Sequence, residues 1–156
     1  MRDDKVSVAR LNKLHPKARE IFKSFIEECE SLNSETCLRI SQGLRTFIEQ
    51  QNLYNQGRGQ SKLPIVTNSK AGQSYHNYGL AIDLVEMDGL GNNECDWKFD
   101  MSSLLTTAKK HGITWGGNFK SIKDKPHFEI SFGYTWQQLK ALHDSGKIDK
   151  EGYVLI

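Results

Sequence analysis

The sequence predicts an α+β fold, and three observations carry that expectation. Apolar residues recur at helical spacing in some stretches and alternate in others, in the order helix, strand, helix and then strands interrupted by helices. The chain has 156 residues, about the size of one domain with a core of its own. It carries no internal repeat, linker or low-complexity tract, so one compact unit over 1–156 is expected.

Each element has its own signal. Between Leu11 and Leu32, the residues Leu14, Ala18, Ile21, Phe22, Phe25, Ile26 and Cys29 share one helical face, which predicts an amphipathic helix with Pro16 near its start. Residues 37–45, CLRISQGLR, alternate and carry branched side chains, so they read as a strand. Residues 46–58 place Phe47, Leu53 and Tyr54 on a helical stripe that stops at Gly57. Gly59 to Gln73, with its glycines and Pro64, reads as a long loop, a length that is often functional. YGLAIDLVEM (78–87) is a strand, followed by a polar connection that ends at an N-cap, Asp100 or Ser102. The helix SLLTTAKKHG then stops at Gly112. ITWGG and HFEIS are short strands around the loop NFKSIKDKP, TWQQLKALHDSG is a helix with Trp136, Leu139 and Leu142 inward, and YVLI adds an edge strand.

Composition excludes some classes. Hydrophobic residues make up 37% and charged ones 26%, which fits a soluble enzyme or binding domain rather than a disordered chain. A net charge of +2 is too mild to argue for nucleic acid. The opening MRDDKVSVARLNKLHP has no apolar run of signal-peptide length, and no spanning run follows, so the chain is expected to be made in a cytosol and to need outside help for export. Cys29, Cys37 and Cys95 are an odd number without C-x-x-C spacing and read as reduced thiols.

Two segments carry chemistry. In SYHNYGLAID, His76 ends the loop and Asp83 lies in the following strand, with small Gly79 and Ala81 between them. In DKPHFEIS, Pro126 pushes Lys125 toward an extended conformation. His127 and Glu129 then share one strand face while Phe128 and Ile130 face the core. Asp124 precedes His127 by three residues, so two carboxylates able to activate water lie near a third candidate ligand. On geometry alone either Glu129 or Asp124 could be the base. His15, His111 and His143 lie in or at the ends of helices and read as surface or capping residues. The acidic group Glu86, Asp88, Glu94 and Asp96 fails the calcium-loop spacing.

Taken together, S-x-H-x-x-G-x-A-x-D (Ser74, His76, Gly79, Ala81, Asp83) and the later D-x-x-H (Asp124, His127) resemble the pattern of VanY-like and VanX-like D-alanyl peptidases. These belong to a zinc peptidase superfamily that includes lysostaphin-type enzymes and the hedgehog signalling domain. SQGLRTFIEQQNLYNQGR and HGITWGGNF are similar to further family segments, so the resemblance covers about 37–145. Within the family the likeness is greatest to the short L-alanyl-D-glutamate endopeptidases that phages use as endolysins.

The resemblance implies a small antiparallel sheet flanked by helices, of hedgehog and D-Ala-D-Ala-peptidase type. It implies one zinc ion on His76, Asp83 and His127, with Asp124 as general base and Arg45 on the substrate carbonyl or oxyanion. Ser74 and Glu129 are candidates for holding a ligand or substrate. The implied substrate is the stem peptide of bacterial peptidoglycan, cut between L-alanine and D-glutamate by a monomer that waits in the host cytoplasm for a holin. No separate wall-binding domain, nucleic-acid partner or membrane insertion is expected. A D-alanyl-D-alanine carboxypeptidase or dipeptidase, and a zinc module without catalysis, are the alternatives.

Overall fold

The computed structural model describes residues 4–87, 94–96, 98–120 and 122–156. Its centre is an antiparallel sheet of β1 (Leu38–Gln42), β2 (Ala81–Met87), β3 (Cys95–Asp96), β4 (Thr114–Trp115) and β5 (His127–Glu129). The order is β1-β2-β5-β4, and β3 also pairs with β2, beyond the end of β5. The helices are α1 (Lys5–Leu11), α2 (Pro16–Leu32), α3 (Phe47–Asn55), α4 (Leu105–Lys110) and α5 (Trp136–Asp144).

The helix expected over 11–32 is present as α2 but starts five residues later, and a separate short helix, α1, precedes it. Proline fits only the first turn, so α2 starts at Pro16, capped by the His15 side chain accepting from the Lys17 N–H. His15 is thus a cap as expected, but a buried one, its Nε2 within 2.9 Å of the Val154 carbonyl. The preceding α1 gave little sequence signal because it buries only Ser7 and Leu11. Its work is polar. β1 is an edge strand, and Ser7 Oγ accepts from the Ile40 N–H at 2.8 Å while Arg10 donates to the Ile40 carbonyl at 2.5 Å. An exposed row of strand donors and acceptors is thereby covered. Asp4 caps α1 and pairs with Arg39 of β1, which fixes the helix to the edge.

Alternation along the strands separates core from site. Ile82, Leu84 and Phe128 are fully buried against Phe22, Phe25 and Ile26 of α2, with Phe25 and Phe128 rings 5.3 Å apart. Burying side chains of this size stabilises the fold by roughly 1.5–3 kcal/mol each. Asp83 and His127 are register partners whose side chains point to the other face. Next to Asp83, the β1–β2 register shifts between Ile40 and Gln42, a bulge at which Ser41 Oγ donates to the Asp83 carbonyl.

Other expectations need smaller corrections. The polar connection after Met87 contains β3, and its residues 88–93 and 97, including Asp88, lie outside those described. The helix near 103–112 begins as a 3-10 turn, Met101–Leu104, with Asp100 as the cap. The terminal YVLI is no edge strand of the sheet: Val154 forms an isolated bridge with Ile148, and the segment packs back near His15. No helix among the described residues is long and apolar enough to cross a membrane.

Candidate metal centre and cleft

The two chemical segments meet at one point. Ser74 caps a 3-10 turn, Tyr75–Tyr78, by accepting from the His76 N–H, so it holds the main chain of His76 and not its ring. The turn ends at Gly79 in a left-handed conformation, φ 68°, where a Cβ would lie 2.5 Å from the His15 nitrogen. His76 is buried, with Nδ1 at 2.8 Å from the Gly43 carbonyl. That hydrogen bond assigns the proton to Nδ1 and leaves Nε2 as a donor of its lone pair.

His127 is oriented in the opposite sense. Its Nε2 lies 2.8 Å from Glu129 Oε2, and its Nδ1 faces the centre. Glu129 therefore holds the ring of His127, the arrangement by which carboxylates orient metal-binding histidines. The inward atoms form a nearly equilateral triangle: His76 Nε2 to Asp83 Oδ1 3.2 Å, His127 Nδ1 to Asp83 Oδ1 3.2 Å, and His76 Nε2 to His127 Nδ1 3.1 Å. Tetrahedral bonds of about 2.0–2.1 Å put ligand atoms about 3.3 Å apart, so the triangle has the size of one face of such a site. Among the described residues this is the only group of three His, Cys, Asp or Glu side chains that could hold a metal ion.

Charge follows from that crowding. Burial would raise the Asp83 carboxyl, but His76 and His127 outweigh it and hold the group far below the usual carboxylate range. Burial opposes a charge on His127, yet Asp83 and Glu129 push its pKa up to about 9. A cation seated between the three would take the place of that proton.

The triangle lies at the floor of a cleft of about 490 Å³, whose wall includes Arg45, Thr67, Ser69, Phe119 and Asp124. Asp124 is positioned by its main chain: its N–H donates to the Gly116 carbonyl at 3.1 Å and its own carbonyl accepts from the His127 N–H at 3.2 Å. Gly116 is required there, since a Cβ would meet the Asp124 oxygen at 2.5 Å and His127 Cβ at 2.9 Å. Burial and the neighbouring Asp83 raise the Asp124 carboxyl above its ordinary value. Arg45 reaches to 3.6 Å from Asp83 Oδ2, and burial lowers the pKa of its guanidinium. All seven residues singled out in the sequence, Arg45, Ser74, His76, Asp83, Asp124, His127 and Glu129, thus meet around this one centre or its cleft.

The sequence reading passed over two residues. Phe119 places its ring 5.6 Å from that of His127. Gln50 is fully buried behind Arg45; its spacing from Phe47 and Tyr54, three and four residues, puts it on the stripe read there, but a glutamine carries no apolar signal.

Comparison with known proteins agrees with this geometry. Residues 67–130, which contain the triangle and Asp124, match the family described as D-alanyl-D-alanine carboxypeptidase. Over these residues the chain is similar to that peptidase family. It is 43% identical over 103 residues to the peptidoglycan L-alanyl-D-glutamate endopeptidase CwlK of Bacillus subtilis (strain 168), covering 58% of this chain and 59% of that protein. It is 28% identical over 133 residues to the L-alanyl-D-glutamate peptidase of Listeria phage A118, covering 82% of this chain and 42% of the relative. The chain therefore spans about half the length of these curated relatives. The fold is similar to that of the Serratia marcescens L-Ala D-Glu endopeptidase ChiX, with TM-score 0.58, 23% identity, and coverage of 82% of this chain and 88% of that one.

Proposed function

We propose that the chain is a zinc-dependent peptidoglycan endopeptidase that cuts the stem peptide between L-alanine and D-glutamate, acting for a phage as an endolysin in host lysis. The observation that carries the reading is the triangle of His76, Asp83 and His127 at the floor of a cleft that also holds Asp124 and Arg45. The names of the Bacillus and Listeria phage relatives support the bond and the substrate. Two imidazoles and one carboxylate, with a cleft above them for water and substrate, are a donor set suited to catalytic zinc.

In this reading His76, Asp83 and His127 hold the ion. Zinc in that position supplies Lewis acidity, polarising a carbonyl and acidifying a water. The remaining work falls to the chain. Asp124 accepts the proton of the water that adds to the alanyl carbonyl carbon, and returns it to the glutamyl nitrogen as the C–N bond breaks. Its raised pKa helps the second half of that exchange. Arg45 presents a fixed cation where negative charge grows on the carbonyl oxygen. Glu129 and the Gly43 carbonyl keep the two rings in the tautomers that ligation needs. The chain acts as a monomer on the wall, reached through a holin from the host cytoplasm.

The description of the matched family favours a second reading, a D-alanyl-D-alanine carboxypeptidase using the same residues. The test of metal-dependent hydrolysis is the release of amino groups from purified peptidoglycan by chelated protein, by zinc-restored protein and by zinc-loaded Asp124→Asn. Only the zinc-restored parent should release them. Release by chelated protein, or by Asp124→Asn at the parent rate, would refute the mechanism.

A further inference from the structure

The Arg45 side chain lines the cleft with 11% of its surface exposed, and its guanidinium has few partners. Its Nε meets no acceptor, and Nη2 at 3.6 Å from Asp83 Oδ2 is too far for a good hydrogen bond. Among the described residues, the one hydrogen bond to this guanidinium is made with Gln50, whose Oε1 accepts from Nη1 at 2.9 Å. The other end of the same amide is also used: Nε2 donates to the Ser69 carbonyl at 2.8 Å. Ser69 lies in the wall of the cleft, beside Thr67 and Asn68. The two partners fix the sense of the amide, because turning it over would set donor against donor at Arg45 and oxygen against oxygen at Ser69.

We infer that Gln50 is a positioning residue: it aims the Arg45 guanidinium at the reacting carbonyl and ties it to the 67–69 wall, so that cation and wall form one rigid unit. This rests on the reading of Arg45 as the group that faces the substrate carbonyl. An arginine side chain has many rotamers, and a cation acts on a developing charge only if its place is set before the reaction. Gln50, on α3 and sealed from water, sets that place from behind without touching the substrate.

The test is a double-mutant cycle on the zinc-loaded full chain, with kcat and KM measured on soluble muropeptides. Gln50→Leu removes both hydrogen bonds at similar volume and should lower kcat about tenfold or more with KM within about twofold. In an Arg45→Ala background the same change should cost less than about twofold, since the group it acts through is gone. Gln50→Glu keeps an acceptor for Arg45 and loses only the donor to Ser69, so it should turn over at least about fivefold faster than Gln50→Leu. A loss that multiplies fully in the Arg45→Ala background, or one confined to KM, overturns the proposal and leaves Gln50 a packing residue. Should Gln50→Leu not fold, Gln50→Glu decides alone: turnover as low as that of Arg45→Ala overturns the proposal, and turnover at least about fivefold higher supports it. If Arg45→Ala itself keeps the parent kcat, the role given to Arg45 falls, and the positioning role falls with it for that separate reason.

Discussion

Gly116 shows how a residue without a side chain can govern the centre. The Asp124 oxygen and His127 Cβ occupy the space where its Cβ would be, so Gly116→Ala must move the loop that carries Asp124 or the strand that carries His127. The expected cost is about 2 kcal/mol or more of stability, with weaker metal binding, measured by thermal unfolding and by metal content after dialysis. Asp124→Asn is a different kind of change. It should keep the bound metal and the melting temperature while lowering kcat by about a hundredfold or more. The residues of the triangle were legible in the sequence because their spacing resembles a family motif. What spacing could not assign was which carboxylate does what. Both Asp124 and Glu129 line the cleft, but Glu129 is taken up by His127 Nε2 at 2.8 Å, a distinction that depends on side-chain orientation.

Among the elements, α1 and the bulge in β1 were hidden from sequence and for related reasons. Apolar periodicity reveals elements that bury apolar faces, and α1 buries mainly the hydroxyl of Ser7 against the edge of the sheet. Ser7→Ala leaves the Ile40 N–H buried without its acceptor, which should cost about 1–3 kcal/mol in unfolding free energy. Metal affinity should not change, since the sheet face that bears Asp83 is held independently by β5. A calorimetric titration of the chelated variant checks the second part. The bulge beside Asp83 cannot be read from composition, because a one-residue register shift is fixed by pairing and not by residue type. By contrast α2 and β5 matched their patterns well, since both alternate or repeat apolar residues against one common core. The C-terminal segment shows the limit of that rule: YVLI has strand composition, yet it pairs only through Val154.

For the molecule as a whole, the metal centre should set the pH range of stability. In the metal-free protein His127 keeps its proton up to about pH 9, whereas its ordinary value is 6.5. The stability linked to that proton is fully present below pH 6.5 and is lost as pH rises through about 9. With metal bound the proton is absent and the loss should disappear. Melting curves of chelated and zinc-loaded protein from pH 6 to 10 should therefore diverge as pH rises, with the chelated form falling faster; parallel curves would contradict the arrangement. The central claim is the bond that is cut, and mass spectrometry of the fragments from a peptidoglycan digest by zinc-loaded protein tests it most directly. The expected products are stem peptides with a new N-terminal D-glutamate and glycan fragments that end in L-alanine, both missing from the Asp124→Asn digest. Release of free D-alanine with the L-alanyl-D-glutamate bond intact would contradict the account and make the protein a carboxypeptidase.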